Sequence, residues 1–317
     1  MRQMLRRKRE KRNTIIIRDH VIRFLRSSRP NREGIDIFDE RYVPSGVLRD
    51  GQIEDRDTLG QILIECVERW GLRRQPIQLC VPDAYVFIRK LSLPEEMTPR
   101  EIQGHLFMEL GESIPIPFSD PVFDYTYMEE EHAVIVFAAP REYAETYAAM
   151  LEEAGGRPNS ADISALCTYR ALAENRQVES EEHTMLLQVN VTGMVASIFH
   201  EDQPLFFRYS PMEQQEELWK IQQNSLVWMG EEEALIQLAQ QTAEETEGMT
   251  RYYKFTMQHG QEKVDRIVLS GDHPYIHVWK DSLERRLGIP VTIIDVSDDL
   301  PLRFYENIGL ALKKNIK

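Results

Sequence analysis

Cysteine is scarce in this chain of 317 residues: Cys66, Cys80 and Cys167 stand far apart, and no two of them form a CxxC pair. Such spacing offers neither a disulfide framework nor a zinc or redox motif, so three buried, reduced thiols are expected. Long apolar runs are missing too. The longest, Ala133 to Ala139, falls far short of the ~20 residues that span a bilayer. No apolar stretch of signal-peptide type follows the basic N-terminus, so a cytoplasmic protein is expected. Strings of the HExxH, GxSxG and GxxxxGK-Ser/Thr types are absent, which leaves zincin, hydrolase and P-loop chemistry without a sequence basis. Positive charge is outnumbered beyond the first dozen residues. Met1 to Arg12 carries seven Lys or Arg and one Glu, a net +6 against -14 for the whole chain, which leaves -20 for the rest. An acidic body of that kind argues against a nucleic-acid groove.

What is present suits two domains with proper cores, at 42% apolar residues and a mean hydropathy of -0.44. Residues 1–13 read as a basic disordered tail. Arg6, Arg7, Lys8 and Arg9 could touch an anionic membrane surface, or simply solubilise the chain. Leu5 is the only apolar residue there besides the methionines, so an inserting amphipathic face is lacking.

Thr14 to Arg26 reads as a strand pair around a polar turn. Asp57 looks like a helix cap, followed by Leu59, Ile62, Leu63, Cys66, Val67 and Trp70 at helical spacing until Gly71, and Ile77 to Val81 is the next strand. Between Tyr85 and Ala154 a strand, a helix, strands and a helix are expected. Thr98-Pro99-Arg100-Glu101 is a capping box with proline at the first helical position. A polar loop, Glu174 to Glu182, leads to a second α/β half. That half opens with paired strands over Met185 to Phe199 and Pro204 to Tyr209. It continues with helices over Met212 to Gln261, a strand at Arg266 to Leu269, a helix around Trp279 to Leu287, a strand at Val291 to Ile294 and a final helix from Leu302. His273 and His277 stand four apart, but Pro274 favours a helix start and a surface His over a metal pair. Glu109 and Glu112 have no neighbour suited to acid–base work.

One ordered block runs Val43-Pro44-Ser45-Gly46-Val47, Gly51-Gln52-Ile53, Leu79-Cys80-Val81-Pro82, Ile88-Arg89-Lys90-Leu91-Ser92-Leu93-Pro94, Ile114-Pro115-Ile116-Pro117-Phe118 and Asp124-Tyr125. Gly309-Leu310-Ala311-Leu312 follows near the C-terminus. In this order and spacing the chain resembles the PilM family of type IV pilus and competence-pilus machineries, relatives of the division protein FtsA. The resemblance implies an α/β, actin-like fold of duplicated ribonuclease H-like type with an inserted α+β subdomain. On that frame residues 14–84 and 155–180 form the first core subdomain, 85–154 the insert, 181–211 and 263–317 the second core subdomain, and 212–262 a helical subdomain.

Actin-like ATPases hold nucleotide between two β-hairpins, each with an Asp for the magnesium shell and a Gly whose amide approaches phosphate. By resemblance the first hairpin falls on Ile16 to Arg23, where Ile16 replaces the Asp and Arg18 the Gly. The second falls on Gln188 to Met194, where Gln188 replaces the Asp and Asn190 the Gly. A paired-glycine motif near the adenosine is reduced to Ser270-Gly271-Asp272. Neither cofactor nor catalytic or metal residue is therefore expected, and the chain reads as a pseudo-ATPase. The alternative is an ATP- and magnesium-binding protein that polymerises or switches, with Arg18 and Arg23 meeting phosphate and Asp19 serving magnesium. The resemblance further implies a scaffold that binds the N-terminal cytoplasmic tail of a PilN-like inner-membrane protein between the first core subdomain and the insert. Arg89, Leu93, Pro94, Glu109, Pro115 and Phe118 are the candidate residues there, and self-association into a ring is a further implication.

Overall fold

The computed structural model describes residues 11–29, 34–212, 218–223, 225–295 and 300–313. Arg6, Arg7, Lys8 and Arg9 lie outside them. The elements run β1 (Arg12–Arg18), β2 (Val21–Ser27), β3 (Ile35–Tyr42), β4 (Leu48–Arg49), β5 (Gln52–Ile53), α1 (Arg56–Arg69), β6 (Pro76–Cys80), β7 (Phe87–Ser92), α2 (Ile102–Glu109), β8 (Pro121–Met128), β9 (Ala133–Pro140), α3 (Arg141–Glu153), β10 (Arg157–Asp162) and α4 (Ser164–Glu174). They continue with β11 (Thr184–Val189), β12 (Gly193–His200), β13 (Gln203–Pro211), β14 (Trp219–Gln222), β15 (Ser225–Trp228), α5 (Glu232–Tyr252), β16 (Arg266–Ser270), α6 (Ile276–Leu287), β17 (Val291–Ile293) and α7 (Tyr305–Leu312).

Two five-stranded sheets have the same order, β3-β2-β1-β6-β10 and β13-β12-β11-β16-β17. In each, a hairpin precedes two parallel strands. The sheets are covered on both faces, which is why their central strands are continuous apolar runs rather than alternating ones. One core joins the first sheet to α1 and α3, through Leu59, Leu63, Tyr147 and Leu151. Another joins the second sheet to α5 and α6, through Leu235, Ala239, Trp279 and Leu283. The third lies between the sheets, where α4, α7 and the turn before α7 bring Ala165, Leu172, Phe304, Tyr305 and Ile308 against Leu25, Leu186 and Val268. The result is five layers, helix–sheet–helix–sheet–helix.

Gly309 shows how tightly the middle layer is drawn. A Cβ built on it would lie 1.7 Å from the Cys167 carbonyl oxygen, so only glycine lets α7 cross α4 at this spacing. All three cysteines are buried and free.

Some expectations shift. The cap of α1 is Asp55, not Asp57: in extended conformation, Asp55 accepts the Thr58 N–H, and Asp57 sits in the first turn. β1 already includes Arg12 and Asn13, inside the expected tail. Glu101 accepts from the Thr98 N–H at 2.9 Å, one half of the capping box, but a turn precedes the helix, which starts at Ile102. The stretch after Met212 is not all helical, because β14 and β15 form a two-stranded ribbon with Trp219 opposite Trp228. Although expected within the insert, α3 buries Tyr147, Met150 and Leu151 in the first core.

The remaining insert is a three-stranded antiparallel sheet, β7-β9-β8. Ile102, Leu106 and Leu110 of the α2 segment pack on Leu93, Val134 and Val136.

Candidate functional site

The ends of β1 and β11 carry the two hairpin tips, Asp19-His20 and Asn190 to Thr192, which face each other across the seam between the halves. The site is ionic on one side and amide-bonded on the other. Ile16 is buried with Cys80, Cys167 and Leu310, an apolar enclosure that has no place for a carboxylate. Arg18 reaches out of the same strand: it donates from Nη1 to Asp83 Oδ2 at 2.9 Å and from Nη2 to Glu306, while its Nε is 3.9 Å from Asp272. Arg23 donates to Asp272 at 2.6 Å and to Glu40 at 3.1 Å. His20 Nε2 stands 3.3 Å from Asp272. Arg303 closes the chain of charges on Glu40, 3.0 Å away.

Asp272 is the hub. Its Oδ1 accepts the Val191 N–H at 3.0 Å, and its own N–H goes to Asn190 Oδ1 at 3.2 Å. One carboxylate thus binds the second hairpin's backbone and three cationic or titratable groups of the first. Burial pushes its pKa up, but His20, Arg23 and Arg18 outweigh that and hold it well below the usual carboxylate range. For Arg18, burial acts to lower the pKa, and Glu306, Asp83 and Asp272 overcome it to raise the value. Burial raises Glu306 despite Arg18, and its Oε1 is without a hydrogen-bond partner.

The other positions are equally committed. Gln188 Nε2 donates to Thr168 Oγ1 at 3.2 Å, and its Oε1 accepts from Ser164 at 3.3 Å. Asp19, the shifted magnesium candidate, accepts the N–H groups of Asp50 and Gly51 at 2.7 and 2.9 Å. Gly271 has φ +117°, and a Cβ there would lie 2.1 Å from the Val189 carbonyl oxygen. Backbone approach between β16 and β11 is enough to require glycine.

Between the hairpins only about 30 Å³ is open, beside Arg18, Asp19, Asp83 and Glu306, roughly the room of one water. Next to it, about 240 Å³ remains among Arg23, Leu226, Gly271, His273, Ile276 and Leu302. His273 is buried. Desolvation pushes its pKa down to about 3, its Nδ1 accepts the Tyr275 N–H, and its Nε2 has no partner. His277 is exposed on α6.

On the insert, β8 is an edge strand. Beside it lies a groove of about 500 Å³ formed by Arg100, Gln103, Phe107, Val122, Phe123 and Arg141. Phe107 and Met108 are 75% and 72% exposed. None of the six residues singled out in the sequence lines this groove. Arg89 lies near the Pro115 carbonyl at 3.5 Å, and Leu93 is in the insert core. The carbonyl of Pro94 lies 2.8 Å from His132 Nε2. Glu109 accepts from Ser113 at the end of α2, and Phe118 is half-buried.

Sequence reasoning missed Asp83, Glu306, Glu40 and Arg303. Only Glu306 leaves a trace, as a carboxylate inside the apolar run from Phe304 to Leu312. Asp83, just after β6, and Glu40, opposite Arg23 on β3, meet their arginines within the first half, and Arg303 reaches Glu40 only when the halves meet.

Two like-ordered sheets, a shared helical layer and facing hairpins define an actin-like protein. Solved structures agree on the fold. The structure described as the PilM-PilN type IV pilus biogenesis complex superposes with a TM-score of 0.76 at 16% identity, covering 96% of this chain and 98% of that one. The cytoplasmic domain of EpsL, an inner-membrane component of the Vibrio cholerae type II secretion system, gives 0.52 at 10% identity over 96% of each chain. MreB5 of Spiroplasma citri bound to ADP gives 0.50 at 10% identity over 94% of each. No curated protein sequence matches significantly. The sequence profile of the type IV pilus assembly protein PilM matches residues 16–307, and the chain belongs to that family.

Proposed function

We propose that the chain is a non-enzymatic scaffold of a type IV or competence pilus assembly machine. It captures the N-terminal cytoplasmic tail of a PilN-like membrane protein and so works at the inner face of the cell membrane. The observation that carries the reading is Arg18. Where an actin-like ATPase needs an open seam for phosphate and magnesium, a guanidinium sits between the carboxylates of Asp83, Glu306 and Asp272. Phosphate would have to displace those carboxylates and expose them uncompensated in a low-dielectric seam.

Family membership and the likeness to the PilM-PilN complex support the partner. The free edge of β8 supports the mode, because an extended peptide can add to it as a strand while Phe107, Val122 and Phe123 receive side chains. No helix among the described residues is long and apolar enough to cross a membrane, so the bitopic partner would provide attachment. Self-association into a ring belongs to the same proposal.

Titrating the full chain with a synthetic N-terminal tail of the partner tests it. Binding is expected, weakened by Phe107→Ser, and absence of binding at tens of micromolar overturns it. Calorimetry with ATP and magnesium tests the pseudo-ATPase half, and micromolar affinity would overturn that half alone. One observation favours the second reading, nucleotide binding and switching: the open space of about 240 Å³ beside Gly271 and His273.

A further inference from the structure

A second surface lies on the other half, away from the insert groove. Helix α5 runs into a π-helical turn, Tyr253–Met257, a geometry frequent at functional positions. Around this turn Tyr252 and Phe255 are 51% and 61% exposed, and the ring of Phe206 lies 6.2 Å from that of Tyr252. After the turn, Gln258 and Glu262 enter a groove of about 470 Å³, bounded across from them by Lys90 of β7 and by the turn joining β12 to β13.

The stacked rings of His183 and His200, 3.9 Å apart, line this groove. His183 Nδ1 lies 2.6 Å from the Tyr253 hydroxyl, which ties the groove to the aromatic turn. Lys90 is matched by Glu131. Glu181, Glu201, Glu262 and Asp265 also line the groove, and no Lys or Arg among the described residues pairs with them. The surface is thus aromatic at one end and acidic along the rest, where Glu262 and Glu201 have only His183 and His200 nearby, at 3.6 and 4.0 Å, and Asp265 accepts the His183 backbone N–H.

We propose that this surface receives residues 1–10 of a neighbouring copy of the chain. The sequence of that segment matches it in order: Met1, Met4 and Leu5, with Arg2 among them, come first, then Arg6, Arg7, Lys8 and Arg9 before Glu10. The apolar part suits the Phe206–Tyr252–Phe255 face, and the basic part suits the four carboxylates. Ten extended residues reach roughly 33–36 Å, ample for such a groove. Arg12, where the segment joins β1, is bound to the Ala311 and Lys313 carbonyls at the end of α7. The segment therefore leaves from the first half, while the groove belongs to the second half and the insert. A contact from the first half of one copy to the second half of the next is heterologous, the type that builds rings or filaments. It rests on the self-association proposed above and names its contact, but it does not depend on peptide capture by the insert, so either can fail alone.

Light scattering on the full chain at low and high salt tests this. Deleting Met1 to Glu10, or the reversal Glu181→Lys/Glu201→Lys/Glu262→Lys, is expected to weaken self-association at least about tenfold, and salt to weaken that of the wild type. The tail reversal Arg6→Glu/Arg7→Glu/Arg9→Glu is expected to do the same, and mixing it with the groove reversal to restore association. An unchanged thermal midpoint confirms that the reversed chains fold. Association indifferent to the deletion, or a chain monomeric in every form, overturns the proposal. So does a deletion that abolishes binding to phosphatidylglycerol vesicles while self-association persists, since the tail would then be a lipid contact.

Discussion

The two hairpins stand at equivalent places in sheets of the same order and differ in what they offer the seam. The first, β1–β2, projects charge: Arg18, His20 and Arg23 all lean toward carboxylates. The second, β11–β12, is neutral and held by hydrogen bonds, with Gln188 turned onto α4 and Asn190 onto the Asp272 backbone. One half supplies cations, and the loop after β16 in the other supplies the anion that receives them. A duplicated frame therefore does not force duplicated chemistry, because the side chains at the strand ends are free to diverge once the sheets are covered. In this chain the divergence is complementary, and it joins the halves.

Breaking the first hairpin should cost most. Ile16→Asp would bury a carboxylate among Cys80, Cys167 and Leu310, and a loss of at least about 3 kcal/mol is expected in urea unfolding. Next comes the hub: Asp272→Ala leaves His20 and Arg23 without their shared acceptor, and removing one partner of a buried pair costs about 3–5 kcal/mol. Asn190→Ala on the neutral hairpin removes a single backbone contact and should cost about 1–2 kcal/mol by the same assay. Equal losses at Asp272 and Asn190 would sink the contrast between a charged and a neutral side.

Acid sharpens the comparison further. The depressed pKa of Asp272 gives stability that is present above its unfolded value of about 3.9 and lost as pH falls through the folded one. Glu306 is raised, so its contribution has the opposite sign: full below about 4.3 and lost as pH rises through its folded pKa. Glu306→Gln should therefore change stability less at neutral pH than Asp272→Ala, within about 1 kcal/mol of wild type. Urea titrations repeated from neutral pH down to about pH 2 would check both signs, because the Asp272 contribution is lost only below about 3.9. The smallest effect on stability is expected at the surface, where Phe107→Ser should leave unfolding within about 0.5 kcal/mol of wild type.

Much of the frame was legible because it rests on local patterns. The continuous apolar strands of both sheets, the 3–4 spacing of Leu59 to Val67 and the stop at Gly71 are all readable from neighbours in sequence. The cap slipped from Asp55 to Asp57 because either acid fits the pattern and only backbone conformation chooses between them. The β14–β15 ribbon escaped notice because it is short and lies in a polar stretch. At the site, the loss of the Asp and Gly positions was visible, but what replaced them was not. Arg18 is separated by 65 residues from Asp83 and by 288 from Glu306, and nothing local to any of the three announces the others.

The sequence by itself determined the family, the duplicated α/β frame and the residue types at Ile16, Arg18, Gln188 and Asn190, since each follows from short-range pattern and order. Only the tertiary structure decided that Arg18 and Arg23 serve the chain's own carboxylates. A guanidinium binds phosphate and carboxylate by the same fork, and which one it meets depends on what the folded chain brings within about 3 Å of it.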